Sequence, residues 1–151
     1  FGIGFVVDIF TTIDLENEDL QGTTVELFIN STTAYDDGEE ITIDQAPIID
    51  SKTGRTLVPL RFISERLGCK VTWVAKSRGI IITQGKREIR LAIGSQTALV
   101  NGKEQFVDQP PRIDAQTGRT LVPLRFIAQT LGNTVLWDGK RRKITILKSD
   151  S

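Results

Sequence analysis

The stretch Thr53-Gly-Arg-Thr-Leu-Val-Pro-Leu-Arg-Phe-Ile63 returns letter for letter as Thr117-Gly-Arg-Thr-Leu-Val-Pro-Leu-Arg-Phe-Ile127, an offset of 64 residues. Carried outward, the same offset aligns residues 25–84 with 89–148 without a gap, with 31 of 60 positions identical. Leu67-Gly68, Val71, Trp73, Ile80 and Ile82 come back as Leu131-Gly132, Val135, Trp137, Ile144 and Ile146. A self-match at one fixed long period marks a duplicated supersecondary unit. The chain therefore divides into an N-terminal extension (1–24), a first repeat (25–84) and a second (85–151).

Each repeat reads as short strands around one helix. Val25, Leu27 and Ile29, matched by Ile89, Leu91 and Ile93, alternate with more polar neighbours, the period of a half-buried strand. Asp37-Gly38 and Asn101-Gly102 tolerate positive φ and predict hairpin turns. Pro59 and Pro123 suit the first turn of a helix, where a missing N–H costs nothing. Leu60, Phe62, Ile63 and Leu67 form a broad apolar face, and Gly68 supplies a left-handed stop, as do their counterparts up to Gly132. A closing hairpin follows each helix. The expected fold class is α+β: two tandem modules, each an antiparallel sheet curled around one helix, plus an N-terminal β-strand extension.

The repeat resembles the copper amine oxidase N-terminal-like domain, also called the stalk domain. The residues that carry the likeness are Gly-Arg-Thr-Leu-Val-Pro-Leu-Arg-Phe-Ile, then Leu-Gly, then Val-x-Trp, then Ile-x-Ile, in both copies. The resemblance implies an antiparallel sheet wrapped on a helix, occurring in tandem in secreted or cell-wall proteins of Gram-positive bacteria. It implies no catalytic residue. Oxidase activity belongs to a separate domain with three His ligands for copper and a Tyr that becomes a quinone. Tyr35-Asp36 follows Ala34 where the quinone motif has Asn, so Tyr35 reads as a plain strand residue.

Composition narrows the chemistry further. The 151 residues are 39% hydrophobic and 25% charged, the balance of a globular chain. There is no His, which removes the usual general base near neutral pH, the Ser/His/Asp and Cys/His nucleophile systems, and His-ligated metal. Cys69 is the sole cysteine, so no internal disulfide or thiolate cluster can form, and it reads as structural. No apolar run approaches the roughly 18 residues of a membrane helix. The sequence opens at Phe1 and contains no Met, as expected if a segment was removed by processing or the chain is part of a longer product. We expect no catalysis, no cofactor, no metal site and no membrane span.

Four arginines, Arg55, Arg61, Arg119 and Arg125, are candidate ligand-binding residues, since guanidinium forks recognise carboxylates and phosphates. Their alternative role is to pin the turn and helix start to acids such as Asp50 and Asp114. Trp73 and Trp137 could stack on a sugar, but their place beside Val71 and Val135 favours core packing. The basic run Lys140-Arg-Arg-Lys143 occupies a hairpin turn without interleaved aromatics, which argues against nucleic acid. The acidic stretches Asp14–Asp19 and Asp36–Glu40 lack the full spacing of a calcium loop.

Two features stand outside the repeat. Lys plus Arg and Asp plus Glu are both 19, yet residues 1–51 hold 12 acids and no base, while residues 52–151 hold all 19 bases and 7 acids. Segregated charge is a cue for interaction. In the extension, Phe1, Ile3, Phe5, Val7 and Ile9 occupy every odd position, a one-faced strand at a terminus. It either pairs within its own sheet or adds to a sheet of the next subunit as a donor strand, and such head-to-tail contacts build open filaments. The expected function is a non-catalytic, extracellular structural protein of the bacterial cell surface or cell wall, a homo-oligomer or head-to-tail polymer. The alternative is a module that binds cell-wall polymer or polysaccharide.

Overall fold

A computed structural model describes residues 24–148, which form fourteen strands and two short helices. The first repeat contributes β1 (Thr24–Phe28), β2 (Thr33–Asp36), β3 (Glu39–Thr42), β4 (Ile48–Ile49), β5 (Thr56–Pro59), α1 (Leu60–Arg66), β6 (Lys70–Val74) and β7 (Gly79–Gln84). The second contributes β8 (Arg87–Ala92), β9 (Thr97–Val100), β10 (Lys103–Phe106), β11 (Arg112–Ile113), β12 (Thr120–Pro123), α2 (Leu124–Thr130), β13 (Thr134–Asp138) and β14 (Lys143–Leu147).

Local elements follow local chemistry. Asp37 and Gly38 sit at φ 53 and 85, and Asn101 and Gly102 at 52 and 84, the double positive φ of a type I′ hairpin turn. Each helix ends in a Schellman cap: the Cys69 N–H bonds the Ser64 carbonyl and the Gly68 N–H that of Glu65, repeated at Asn133/Ala128 and Gly132/Gln129. Pro59 and Pro123 depart slightly from expectation. Their ψ of 125 and 114 is extended, so each ends a strand and occupies the N-cap, with the helix starting one residue later.

The assembly of these elements overturns the expected α+β pair of modules. The described chain is mostly β and builds three sheets, ordered β13-β14-β1-β2-β3, β10-β9-β8-β7-β6 and β11-β12-β5-β4, and each of them mixes both repeats. The reason lies in the connection between β7 and β8. Gln84 pairs with Arg87, leaving Gly85-Lys86 as a two-residue turn with Gly85 at φ 59. A turn that short forces adjacent antiparallel pairing, so β7 takes β8 of the second repeat rather than β1 of its own. β1 is then left for the equivalent strand β14, from Thr24↔Leu147 to Phe28↔Lys143. One continuous core results, joining Val25, Leu27, Ile80 and Ile82 to Ile89, Leu91, Ile144 and Ile146.

The two helices pack across the middle sheet, each against the central strand of the opposite repeat as well as its own. In that sheet β5 and β12 run antiparallel with Val58 opposite Val122, so an approximate two-fold axis passes between equivalent residues. The axis exchanges the two five-stranded sheets. Their four outer strands, β3, β6, β10 and β13, are edges.

Candidate functional site

The approximate two-fold produces two related grooves, each between edges of different sheets. The first, about 880 Å³, runs between β3, through Ile41 and Thr42, and β6, through Val71 and Trp73, above α1. The second, about 430 Å³, runs between Val107–Gln109, just after β10, and Val135 and Trp137 of β13, above α2. Each groove is completed by the turn of the opposite repeat: Gly118, Arg119 and Thr120 in the first, Gly54, Arg55 and Thr56 in the second.

A reciprocal clasp holds those turns in place. The Thr53 hydroxyl donates to the amide oxygen of Gln109, and the Thr117 hydroxyl to that of Gln45. Both glutamines are buried, Gln45 at 4% and Gln109 at 3% exposure, and their amide N–H groups donate to the next carbonyl, Gln45 at 2.9 Å to Ala46 and Gln109 at 3.0 Å to Pro110. The turn carboxylates are occupied by their own backbone: Asp50 Oδ1 accepts the Lys52 N–H at 2.8 Å, and Asp114 Oδ1 the Gln116 N–H at 2.8 Å. Asp50 is further bonded by Arg112 at 3.1 Å. The Lys52 N–H foremost, with the Thr53 N–H, Arg112 and Gln109, holds the Asp50 carboxyl below its ordinary pKa against the opposing effect of burial.

The four candidate arginines divide two to a groove, one from each repeat. Arg119 and Arg61 line the first, Arg55 and Arg125 the second. Arg55 pairs with Asp108 at 2.7 Å and Arg119 with Asp44 at 2.7 Å, so each reaches an acid of the other repeat rather than Asp50 or Asp114, which the turns already use. Arg61 and Arg125 are exposed and make no hydrogen bond or ion pair among the described residues. Phe1, Ile3, Phe5, Val7 and Ile9 lie outside the described residues, as does the acidic stretch 14–19.

Trp73 and Trp137 correct the core-packing expectation. Both are 45% exposed on edge strands at the groove walls. Tyr35 lies in β2, edge-on to Phe28 with centroids 6.1 Å apart. The first groove differs from the second in chemistry as well as size. Arg66 reaches it where the second repeat has Thr130, bonding Asp36 at 2.8 Å and lying 5.3 Å over the Phe62 ring. Cys69 lines it where the second repeat has Asn133, its thiol pKa raised by burial. Ser64, 2% exposed, also lines it, and its hydroxyl finds no partner among the described residues, whereas the equivalent residue is Ala128. The sequence reading missed Gln45, Gln109 and Ser64. The recurrence of Asp44-Gln45-x-Pro47 as Asp108-Gln109-x-Pro111 was the available signal for the first two.

Among the described residues no group of three or more Cys, Asp or Glu side chains could hold a metal ion, the Asp36–Glu40 loop included. No described helix is long and apolar enough to cross a membrane. Compared with known proteins, residues 12–82 and 37–146 each match the family model described as copper amine oxidase N-terminal domain. The two matches overlap, as two copies of one unit would. No curated protein matches the chain. Copper does not fit the residues present, since the sequence holds no His and the described acids do not cluster.

Proposed function

The chain belongs to the copper amine oxidase N-terminal domain family, and from that premise we propose that it is a non-catalytic structural protein of the bacterial cell surface, secreted and joined into a filament by strand addition through its N-terminus. The observation that carries the reading is the pair of open grooves, the first between edge strands β3 and β6 and the second between β13 and the segment just after β10, strands whose outer row of backbone donors and acceptors pairs with no strand among the described residues. The alternating segment Phe1 to Ile9 has the period such a groove accepts. Residues 1–23 hold five acids and no base, while residues 24–148 hold 19 bases and 13 acids, and opposite net charges steer head-to-tail encounter of copies.

Electron microscopy of the purified chain beside a version lacking residues 1–10 tests the reading. Filaments in the first and single particles in the second are expected; monodisperse particles in both overturn it. Added salt should slow assembly by screening the charges while leaving formed filaments intact.

A second reading rests on the half-exposed Trp73 and Trp137 beside the unpaired Arg61 and Arg125: an anionic wall polymer or polysaccharide stacked in the grooves. Pull-down on purified cell wall separates the two, because Trp73→Ala and Trp137→Ala would abolish retention of a still-folded chain only under this reading.

A further inference from the structure

We infer that the first groove, between β3 and β6, is the acceptor of the N-terminal strand, and that its occupant is the segment Phe1–Ile9 of a second copy of the chain. The inference rests on the strand-addition reading above and names the site where the addition happens.

The two grooves are equivalent by symmetry, so the choice between them turns on where they differ. The first is about twice the volume and has the more room for the Phe and Ile side chains of the donor. Its wall carries Ile41 and Ile43 in alternation, where the second repeat has Gln105 and Val107. Facing them are Val71 and Trp73, also in alternation, and Phe62 lies on the floor. A strand laid along the β3 or the β6 edge would bond to that edge, and its alternate side chains would meet this floor. The walls, four to five residues long, run about 13–16 Å and take half of the donor.

Charge points to the same groove: Arg61, Arg66 and Arg119 line it against Asp44 and Glu65. The N-terminal segment 1–23 carries Asp8, Asp14, Glu16, Glu18 and Asp19 and no base. Fourteen residues separate Ile9 from β1, a span of up to about 50 Å, which lets the strand leave its own subunit for a neighbour.

Cys69, the single native thiol, lines this groove and serves as the probe. Ile3→Cys, Phe5→Cys and Val7→Cys are each oxidised at mildly alkaline pH, which offsets the raised thiol pKa, with Val6→Cys as the opposite-phase control and filaments monitored by microscopy. Disulfides form only where Cβ atoms approach within about 4.5 Å. A ladder of covalent multimers from at least one odd-position variant, absent from Val6→Cys, is expected. A cross-link confined to monomers overturns the assignment to a second copy. In a Cys69→Ser, Val135→Cys background, a ladder instead of the Cys69 ladder overturns the choice of groove while filaments stand. Filaments with no cross-link in any variant overturn the groove as well, and absence of both overturns strand addition itself.

Discussion

Val58 and Val122, equivalent positions 64 residues apart, lie opposite each other in the β5–β12 pair, and neither has any exposed surface. A residue that pairs with its own duplicate marks a symmetry axis, and this one passes through the middle of the molecule. The duplication therefore did not yield two bodies side by side. It yielded one body with two related faces, each groove assembled from both repeats.

The glutamine clasp should matter to both repeats equally. Gln45→Ala or Gln109→Ala removes a buried acceptor from a threonine hydroxyl and a donor from the backbone. Each should cost about 1–3 kcal/mol in urea unfolding, the penalty of buried groups left unpaired. A loss below about 0.5 kcal/mol would show that the turns are held by the exposed Arg55–Asp108 and Arg119–Asp44 pairs instead, which are ordinarily worth little.

Asp50 ties stability to pH. Its folded pKa lies below the unfolded value of 3.8, so around that value the unfolded chain binds more protons than the folded one. Its stabilisation is complete above the ordinary carboxylate pKa and is lost as pH falls through the lowered folded value. Asp50→Asn should therefore flatten the acid side of the stability profile measured by thermal melts from neutral to acid pH. Parallel profiles for the two proteins would contradict the assignment.

Ser64→Ala gives the groove a signature of its own. In the chain lacking residues 1–10 it removes a buried hydroxyl without a partner, as Ala128 already does on the other face, and should raise stability by about 1 kcal/mol. Destabilisation of the truncated chain would mean the hydroxyl is already satisfied.

Gly85 is the residue on which the interleaving depends. Its φ of 59 is costly for a side chain, and Gly85→Val should destabilise by about 1–2 kcal/mol. Gly54, also at positive φ but in a turn that does not join the repeats, makes a fair comparison by the same urea titration. Because both repeats form one body, Gly85→Val should shift the Trp73 and Trp137 transitions alike.

Sequence made the elements legible but not their partners. Asp37-Gly38, Asn101-Gly102, Gly68 and Gly132 act through local backbone chemistry, and all four stand where they were expected. Pairing of β1 with β14 is not local, and a repeat boundary drawn from identity alone places the two strands of the β7–β8 hairpin in different modules. Gly85-Lys86 between Ile80-x-Ile82 and Ile89-x-Leu91 was the physical clue. Trp73 and Trp137 misled because an apolar alternation looks the same on an edge strand lining a groove as on a buried one. Arg55 and Arg119 were assigned to acids close in sequence, while the interleaved fold brings acids of the opposite repeat nearer.

The interleaving itself is tested most directly with the two tryptophans, since Trp73 lies in the sheet ending at β6 and Trp137 in the sheet ending at β13. Trp137→Phe and Trp73→Phe leave one reporter each, and urea unfolding is followed by fluorescence with and without Ile80→Ala, a core truncation expected to cost about 2–5 kcal/mol. One body predicts that both reporters unfold at the same midpoint and that Ile80→Ala lowers both alike. A Trp137 transition that stays in place while the Trp73 transition moves would contradict it.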